Sequence, residues 1–289
     1  MPITLVEGAS ETATLYCDPA REAVVSWNTT APEGELRVRV LRAHRPDSEW
    51  LPHAHWSRTG RHSYSAKSSD IVVETDVLTS LTPFDGLEIA AEGVRFDLVA
   101  LATPVQNRPS GQYDGRLRSV QVPARTQFVP EGPRTWCSPT ALSMVNAYYG
   151  HDHDVATTAR AVSDYAYNGT GNWSFNVAFS GALGLRGVVA YLRNLEHAAH
   201  FIDAGIPLVL SYSWRAGELT GAPLEQSDGH LVVLRGFTTT GDCLINDPAA
   251  EELTVVYPRR ELEAVWLRNK GVAYVVARCD APLRELLDR

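Results

Sequence analysis

The stretch SDGHLVVLRGFTTTGDCLINDPAA, residues 227–250, predicts a β-hairpin that decides how the second half of the chain folds. His230 opens a strongly apolar strand, LVVLRGF, and a second apolar run, CLIN, leads directly into Asp247. If the residues GFTTTGD between these runs form the turn, the two strands are antiparallel. The start of the first strand then lies beside the end of the second. The hairpin therefore brings His230 next to Asp247.

A carboxylate beside an imidazole has a well-defined chemical use. It fixes the tautomer of the ring and holds the ring toward a nucleophile, as the third member of a catalytic triad does. The alternative interpretation is a histidine at a strand start and an Asp-Pro turn, and each of these is common alone. A free cysteine at a helix start upstream favours the triad.

That cysteine lies in RTWCSPTALSMVNAYYG, residues 134–150. Ser138 and Pro139 fit the first turn of a helix, and Gly150 fits its end. Cys137 then lies at the positive end of the helix, where the pKa of a thiol is lowered, especially beside an imidazolium. The alternative is a small buried hydrophobic residue at a helix start.

The other three cysteines are expected to be small buried hydrophobic residues. Cys17, Cys243 and Cys279 lie in or beside strand-like runs. Their spacing contains no CxxC pair and lacks the density of a disulfide scaffold.

Length and composition restrict the classes of protein. The 289 residues, 44% hydrophobic and 21% charged, are enough for one large domain or two ordinary ones. The net charge of −8 and the lack of a basic run argue against a nucleic-acid partner. No signal-like start or apolar run of about 20 residues is visible, so the chain as given is expected to be soluble and cytoplasmic, with no membrane span and with export left open.

Patterning predicts two domains. Residues 1–103 contain alternating runs such as ELRVRVLRA separated by turn-forming clusters, which favours an antiparallel β-sandwich. Residues 104–119 are rich in proline and glycine and are expected to be a linker. Residues 120–289 show helices first and strands later, which predicts an α+β domain.

Five stretches carry a resemblance to a known family: WCSPTALSMVNAYYG, GNWSFN, GELTGAP, DGHLVVLRGF and INDPAA. Together they resemble the cysteine peptidase family 39-like domains, papain-like relatives of the bacteriocin-processing peptidases. The resemblance implies a papain-like cysteine peptidase fold for residues 120–289. It also implies that Cys137 is the nucleophile, His230 the general base and acid, and Asp247 the orienting residue.

The resemblance also implies an oxyanion hole built from a glutamine upstream of the cysteine. Gln127, ten positions before Cys137, is the matching residue, and Gln121 is the competitor. A surface glutamine without a role is the alternative. Many such domains read Cys-Gly-Pro, whereas this chain has Ser138, which puts in doubt how open the site is on that side.

Two loops are candidates for the substrate cleft. GTGNWSFN, residues 169–176, contains Asn172 and Trp173, and its aromatic residues either line a cleft or anchor the loop on the core. RAGELTGAPLEQSDG, which includes Gly229, is long enough for an active-site lid.

The sequence calls for no cofactor and no metal. The row at 151–154 (HDHD) and the pair His53 and His55, placed on one strand face, lack an HExxH arrangement and a third partner. In the first domain, Trp27, Trp50 and Trp56 are candidates for a platform that binds a cell-wall or other carbohydrate ligand, with at least one expected in the core.

The expected activity is hydrolysis of peptide or other amide bonds through an acyl-thioester on Cys137. The expected partner is therefore a peptide or protein substrate. Two alternatives stay open: transfer of the acyl group to an amine or thiol, as in transglutaminase-like relatives, and a papain-like scaffold that binds without chemistry.

Overall fold

The structure is a computed structural model that describes residues 3–289, without the side chains of residues 9 and 10. Its chain forms two compact units. Unit 1 combines the chain up to Pro104 with Arg160–Val189 and Asp288. Unit 2 contains Val105–Ala159, Ala190–Leu287 and Arg289.

The chain up to Pro104 is built from strands. In order they are β1 (Ile3–Ser10), β2 (Thr12–Asn28), β3 (Glu33–Arg42), β4 (Arg45–Pro46), β5 (Leu51–Ser57), β6 (His62–Ser63), β7 (Ala66–Ser68), β8 (Ile71–Glu74), β9 (Val77–Glu92) and β10 (Phe96–Ala102).

The rest of the chain mixes helices and strands. In order they are β11 (Arg118–Ser119), α1 (Cys137–Tyr148), α2 (Val155–Val162), α3 (Trp173–Ala182), β12 (Arg186–Tyr191), α4 (Leu195–Asp203), β13 (Leu208–Trp214), β14 (Ser227–Phe237), β15 (Cys243–Asn246), β16 (Thr254–Tyr257), α5 (Arg259–Arg268), β17 (Val272–Ala277) and α6 (Leu283–Asp288).

The ten strands of unit 1 pair antiparallel in one sheet, with β1, β10, β2, β9, β3, β5 and β6 as successive neighbours. The predicted division into two stacked sheets is not confirmed. The reason lies in β2 and β9, which are 17 and 16 residues long and stay paired across register shifts between Tyr16 and Glu22. Such irregularities bend strands without breaking the sheet.

The core of unit 1 follows the alternation of its strands. In β3, Leu36, Val38 and Val40 are fully buried, as the period-two pattern predicts. Trp27 and Trp56 are 1% and 2% exposed, so they cannot belong to a surface platform for a carbohydrate. Trp50 is 36% exposed, and the Arg39 guanidinium lies 4.5 Å from its ring centroid. Two of the three candidate tryptophans are therefore core residues, in agreement with the expectation of at least one, and a carbohydrate platform is not supported.

Residues 160–189 belong to unit 1, whereas the sequence expectation assigned all of 120–289 to the second domain. Phe175 and Ala178 of α3 join the same apolar core as Trp27 and Trp56. Asn28 of β2 donates to the Gly187 carbonyl at 2.8 Å and accepts from the Gly187 N–H at 2.9 Å. Burial of one helix face and these paired hydrogen bonds explain the assignment.

Unit 2 contains an antiparallel sheet in which β17, β13, β14, β15 and β16 are successive neighbours and β11 pairs with β14. The predicted hairpin is confirmed, because β14 and β15 pair with Val233 opposite Asn246 and Phe237 opposite Cys243. The predicted linker 104–119 is held in this unit, where the Ser110 N–H donates to Glu263 at 2.9 Å.

Side chains cap the first turns of α2 and α4. The Asp154 carboxylate accepts the Thr157 N–H at 2.6 Å at the start of α2. The Asn194 side chain accepts the His197 N–H at 2.9 Å at the start of α4. Both bonds satisfy amides that a helix N-terminus leaves without a partner.

Candidate active site

Cys137 is the first residue of α1. The first turn of this helix contains no acidic residue, so its N–H groups leave positive potential near the sulfur. The N–H groups of Ser138 and Leu231 both donate to the sulfur. Leu231 belongs to β14, so the helix start and the strand next to His230 together surround the thiol.

His230 lies on β14 between Cys137 and Asp247. Its Nε2 lies 2.8 Å from Oδ1 of Asp247, and its side chain also hydrogen bonds to Cys137. Since Nε2 is hydrogen bonded to the carboxylate, Nδ1 is the ring nitrogen left to hydrogen bond with the Cys137 sulfur. The histidine is 2% exposed and the aspartate is fully buried. The three side chains therefore form a shielded chain from thiol to carboxylate.

The electrostatics of this chain favour charge on both sulfur and ring. Burial raises the pKa of Cys137, but the hydrogen bond and positive charge of His230 outweigh it and bring the pKa below its ordinary value. Burial lowers the pKa of His230, but the hydrogen bonds to Asp247 and Cys137 outweigh it and raise the pKa. A thiolate beside an imidazolium is the state that these opposite shifts favour at neutral pH.

Asp247 is held by three donors. Oδ1 accepts from the His230 ring and from the Ala249 N–H at 2.8 Å, and Oδ2 accepts from the Tyr257 hydroxyl at 2.6 Å. Burial raises the pKa of Asp247, yet these donors and the charge of His230 keep the pKa below its ordinary value. The carboxylate is therefore ionised despite its burial.

Two aromatic rings on β13 enclose His230. The ring centroids of Trp214 and Tyr212 lie 5.6 and 6.3 Å from that of the imidazole, at 70° and 88° to its plane. Tyr212 is directly opposite His230 in the strand register. This pair of rings was not predicted, although the spacing of two residues in PLVLSYSW is typical of side chains on one face of a strand.

Gln127 is buried before α1. Its Nε2 donates to the carbonyl of Arg134, and its backbone N–H donates to the carbonyl of Pro248 at 2.9 Å. These bonds tie it both to the segment before Cys137 and to the residue after Asp247. Its competitor, Gln121, is exposed and bonds to Ser119.

The three candidate cleft residues are not gathered in one unit. Asn172 and Trp173 belong to unit 1, where Asn172 caps α3 by accepting the Phe175 N–H at 3.0 Å and donates to Asp164. Gly229 belongs to unit 2 and is exposed directly before His230. A Cβ at Gly229 would meet no atom within 4 Å. Gly229 therefore directly precedes His230 and has open space beside it among the described residues.

The loop before His230, predicted as a lid, is attached to α5. Both Arg268 terminal nitrogens lie 2.7 Å from carboxylate oxygens of Glu218, and the Thr220 N–H donates to Glu261 at 2.6 Å. The Trp214 indole donates to the Leu224 carbonyl at 3.2 Å. One ring therefore contacts both the loop and His230.

The four cysteines differ in environment. Cys243 is buried, and burial raises its pKa. Cys17 is half-buried, and burial with nearby carboxylates raises its pKa to about 11. Cys279 is exposed, which corrects the expectation that it is buried, because it lies two residues beyond the end of β17. Only Cys137 has a pKa shift that favours the thiolate among these described residues.

The histidine clusters make other contacts. The pairing of β5 with β3 shifts register between Pro52 and Ala54, at His53. The regular alternation of side chains is therefore interrupted, and His53 and His55 do not share one strand face. His53 packs against Trp27, and His55 Nδ1 bonds to Glu35 at 2.8 Å. Within residues 3–289, no group of three His, Cys, Asp or Glu side chains is arranged to hold a metal, and no helix is long and apolar enough to cross a membrane.

Solved structures and one family profile are similar to part of the chain. The similar solved structures include one described as a C39-like peptidase from Bacillus anthracis (18% identity, 56% of this chain, 98% of that chain, TM-score 0.45) and a double glycine motif protease from an AMS/PCAT transporter in complex with the leader peptide (19% identity, 56% of this chain, 94% of that chain, TM-score 0.40). No curated protein matches. The profile of the Peptidase_C39 like family matches residues 119–274, more than half of the chain. The chain therefore belongs to the Peptidase_C39 like family.

Proposed function

We propose that the protein is a cysteine peptidase or amidase that hydrolyses peptide or amide bonds through Cys137, His230 and Asp247. The observation that carries the proposal is the buried hydrogen-bonded chain from the Cys137 sulfur through His230 to Asp247. Family membership supports the same class of reaction. The opposite pKa shifts of the thiol and the imidazole support a nucleophile that is ready at neutral pH.

The reaction begins when the thiolate attacks the carbonyl carbon and the C=O electron pair moves to oxygen. The backbone N–H of Cys137 and the Gln127 side chain are proposed to stabilise this oxyanion. An amide nitrogen carries two hydrogens, and one of those on Gln127 is engaged by Arg134. The second is available for the oxyanion.

The His230 imidazolium then gives its proton to the departing amine, and the C–N bond breaks to leave an acyl-thioester. The neutral imidazole takes a proton from water, the resulting hydroxide attacks the thioester, and the thiolate leaves. Asp247 holds the ring in one tautomer through both steps. The contacts of Asp247 with His230 and of His230 with Cys137 support these assignments.

The first experiment measures nucleophile activation. Each cysteine is followed by mass spectrometry during alkylation with iodoacetamide at pH 6, and we expect Cys137 to react far faster than Cys17, Cys243 or Cys279. Cys279 is the matched control, because it is exposed and steric access does not protect it. Equal slow labelling of all four would overturn the activated thiolate.

The second experiment measures turnover. A proteome-derived peptide library is incubated with the wild type, Cys137→Ala and Cys279→Ala, with and without an added amine. We expect cleavage by the wild type and Cys279→Ala alone. Persistent cleavage by Cys137→Ala would overturn the nucleophile, amine adducts in tenfold excess over hydrolysis would indicate acyl transfer, and binding without cleavage would indicate a non-catalytic scaffold.

A further inference from the structure

Tyr257 is the only donor among the described residues that bonds to Oδ2 of Asp247. It lies on β16, opposite Cys243 of β15, and is fully buried. The 2.6 Å distance is typical of a hydroxyl that donates to a carboxylate. Burial and the charge of Asp247 raise the pKa of the phenol, so Tyr257 keeps the proton that it donates.

The two carboxylate oxygens of Asp247 accept hydrogen bonds from different donors. Oδ1 accepts from the His230 ring and from the Ala249 N–H, and Oδ2 accepts from Tyr257. A carboxylate held on both oxygens cannot rotate without losing a charge-assisted hydrogen bond. A buried charged oxygen that loses its donor is costly, so removal of the hydroxyl favours rotation of the carboxylate toward other partners.

We propose that Tyr257 is a positioning residue that holds the Asp247 carboxylate in the orientation in which Oδ1 accepts the His230 ring N–H. This inference rests on the proposed function, because it assigns the support of the triad's third member. Tyr257 has no exposed surface through which it could touch a substrate. Its effect on the reaction passes through Asp247 and His230.

The titratable groups around Asp247 lie on α1 and on the strands β13, β14, β15 and β16. Cys137 and His230 lie on the side of Oδ1, and Tyr257 lies on the side of Oδ2. Tyr212 of β13 and Cys243 of β15 are both fully buried. Burial raises the pKa of both groups, so they are uncharged across the neutral range.

The test is Tyr257→Phe, which removes one oxygen and keeps the ring. We expect kcat to fall by about tenfold or more, since a hydrogen bond to a charged group is lost, with KM unchanged. If the carboxylate rotates away, the His230 imidazolium loses support, and its titration midpoint falls by about one pH unit. The midpoint is read by carbon-13 NMR of labelled histidine and by the alkaline limb of kcat/KM.

Tyr149→Phe is the matched control. Its hydroxyl is also buried and has no hydrogen-bond partner within the described residues, and Tyr149 follows α1 at the end opposite Cys137. We expect its His230 titration and kcat to equal those of the wild type. A normal or raised His230 midpoint in Tyr257→Phe would overturn the inference, even if that variant melts at a lower temperature.

A second measurement does not depend on the folding of Tyr257→Phe. With 3-fluorotyrosine at position 257, which keeps the donor, we expect kcat within about twofold of the wild type. The fluorine resonance is expected to move with the same midpoint as His230, and a resonance that ignores this titration would overturn the inference. Neither NMR readout needs a substrate, so absence of peptide cleavage by the wild type would reject the proposed function and leave the role of Tyr257 to be decided separately.

Discussion

Phe175→Ala tests whether α3, which lies within the family-matched region, is part of the cooperative structure of unit 1. Phe175 is fully buried, and its ring centroid lies 6.0 Å from that of Trp27 and 6.4 Å from that of Trp56. Truncation of a buried phenylalanine costs about 3–5 kcal/mol, and loss of two aromatic contacts places this site toward the upper end. The melting temperature of unit 1 is expected to fall by about 10–20 °C.

Hydrogen exchange followed by mass spectrometry resolves the effect by segment. We expect amides of β2 to lose protection together with those of α3, because both elements share one core. Phe179→Ala is the control, since it removes the same atoms from a half-buried position on the same helix. If loss of protection stays within residues 173–182 and β2 is unchanged, α3 is not an integral part of unit 1.

Three further predictions concern pH, the cleft and the loop before His230. Burial raises the pKa of Asp76 to about 7 from 3.8, so the folded protein retains a proton that the unfolded chain has released. Between pH 5 and pH 7 the wild type should therefore lose about 2 kcal/mol of unfolding free energy relative to Asp76→Asn, and an equal pH dependence of the two proteins in denaturant titrations would contradict this. Gly229→Val should raise KM for peptide hydrolysis and leave the melting temperature unchanged, because a Cβ there meets no protein atom; an unchanged KM would remove Gly229 from the cleft. Glu218→Gln should speed amide exchange in residues 215–226 by loosening the contact with Arg268, and equal exchange rates would show that this ion pair does not restrain the loop.

Local sequence was sufficient to predict the hairpin. Two apolar runs separated by a short polar turn have one favourable antiparallel pairing, and that pairing determines which residues meet. His230 and Asp247 are neighbours for this reason, with 2.8 Å between ring and carboxylate. The caps at Asp154 and Asn194 were also predictable, because each depends on an amide three residues away.

Contacts between distant parts of the chain were not predictable in this way. The sequence of α3 does not reveal that Phe175 packs against Trp27, because an apolar pattern shows that a side chain is buried but not which distant side chain it contacts. The two long strands show why the predicted sandwich was not confirmed. Alternation identifies each strand, but the register shifts that keep β2 paired with β9 have no distinctive residue pattern.

Tyr257 and Trp214 were missed for a related reason. Each lies on a strand predicted from its apolar pattern, and an aromatic residue there is most often part of the core. Two contacts distinguish these residues from ordinary core aromatics. The Tyr257 hydroxyl donates a hydrogen bond to Asp247, and the Trp214 ring packs against the His230 ring. Those partners depend on the order of strands in the sheet, which alternation alone does not determine.

Ser138 stands where many similar domains have a glycine, and its side chain points to a structural contact. Its buried hydroxyl lies 2.9 Å from the Tyr274 hydroxyl, so the side chain connects the first turn of α1 to β17. Its backbone N–H, like that of Leu231, donates to the Cys137 sulfur, and a glycine would supply the same N–H. Pro139 lies in the first turn of α1, where a backbone N–H would have no acceptor within the helix, so the absence of an N–H on proline costs no hydrogen bond. The serine therefore adds an anchor behind the helix start, while the donor that stabilises the thiolate does not depend on which of the two residues is present.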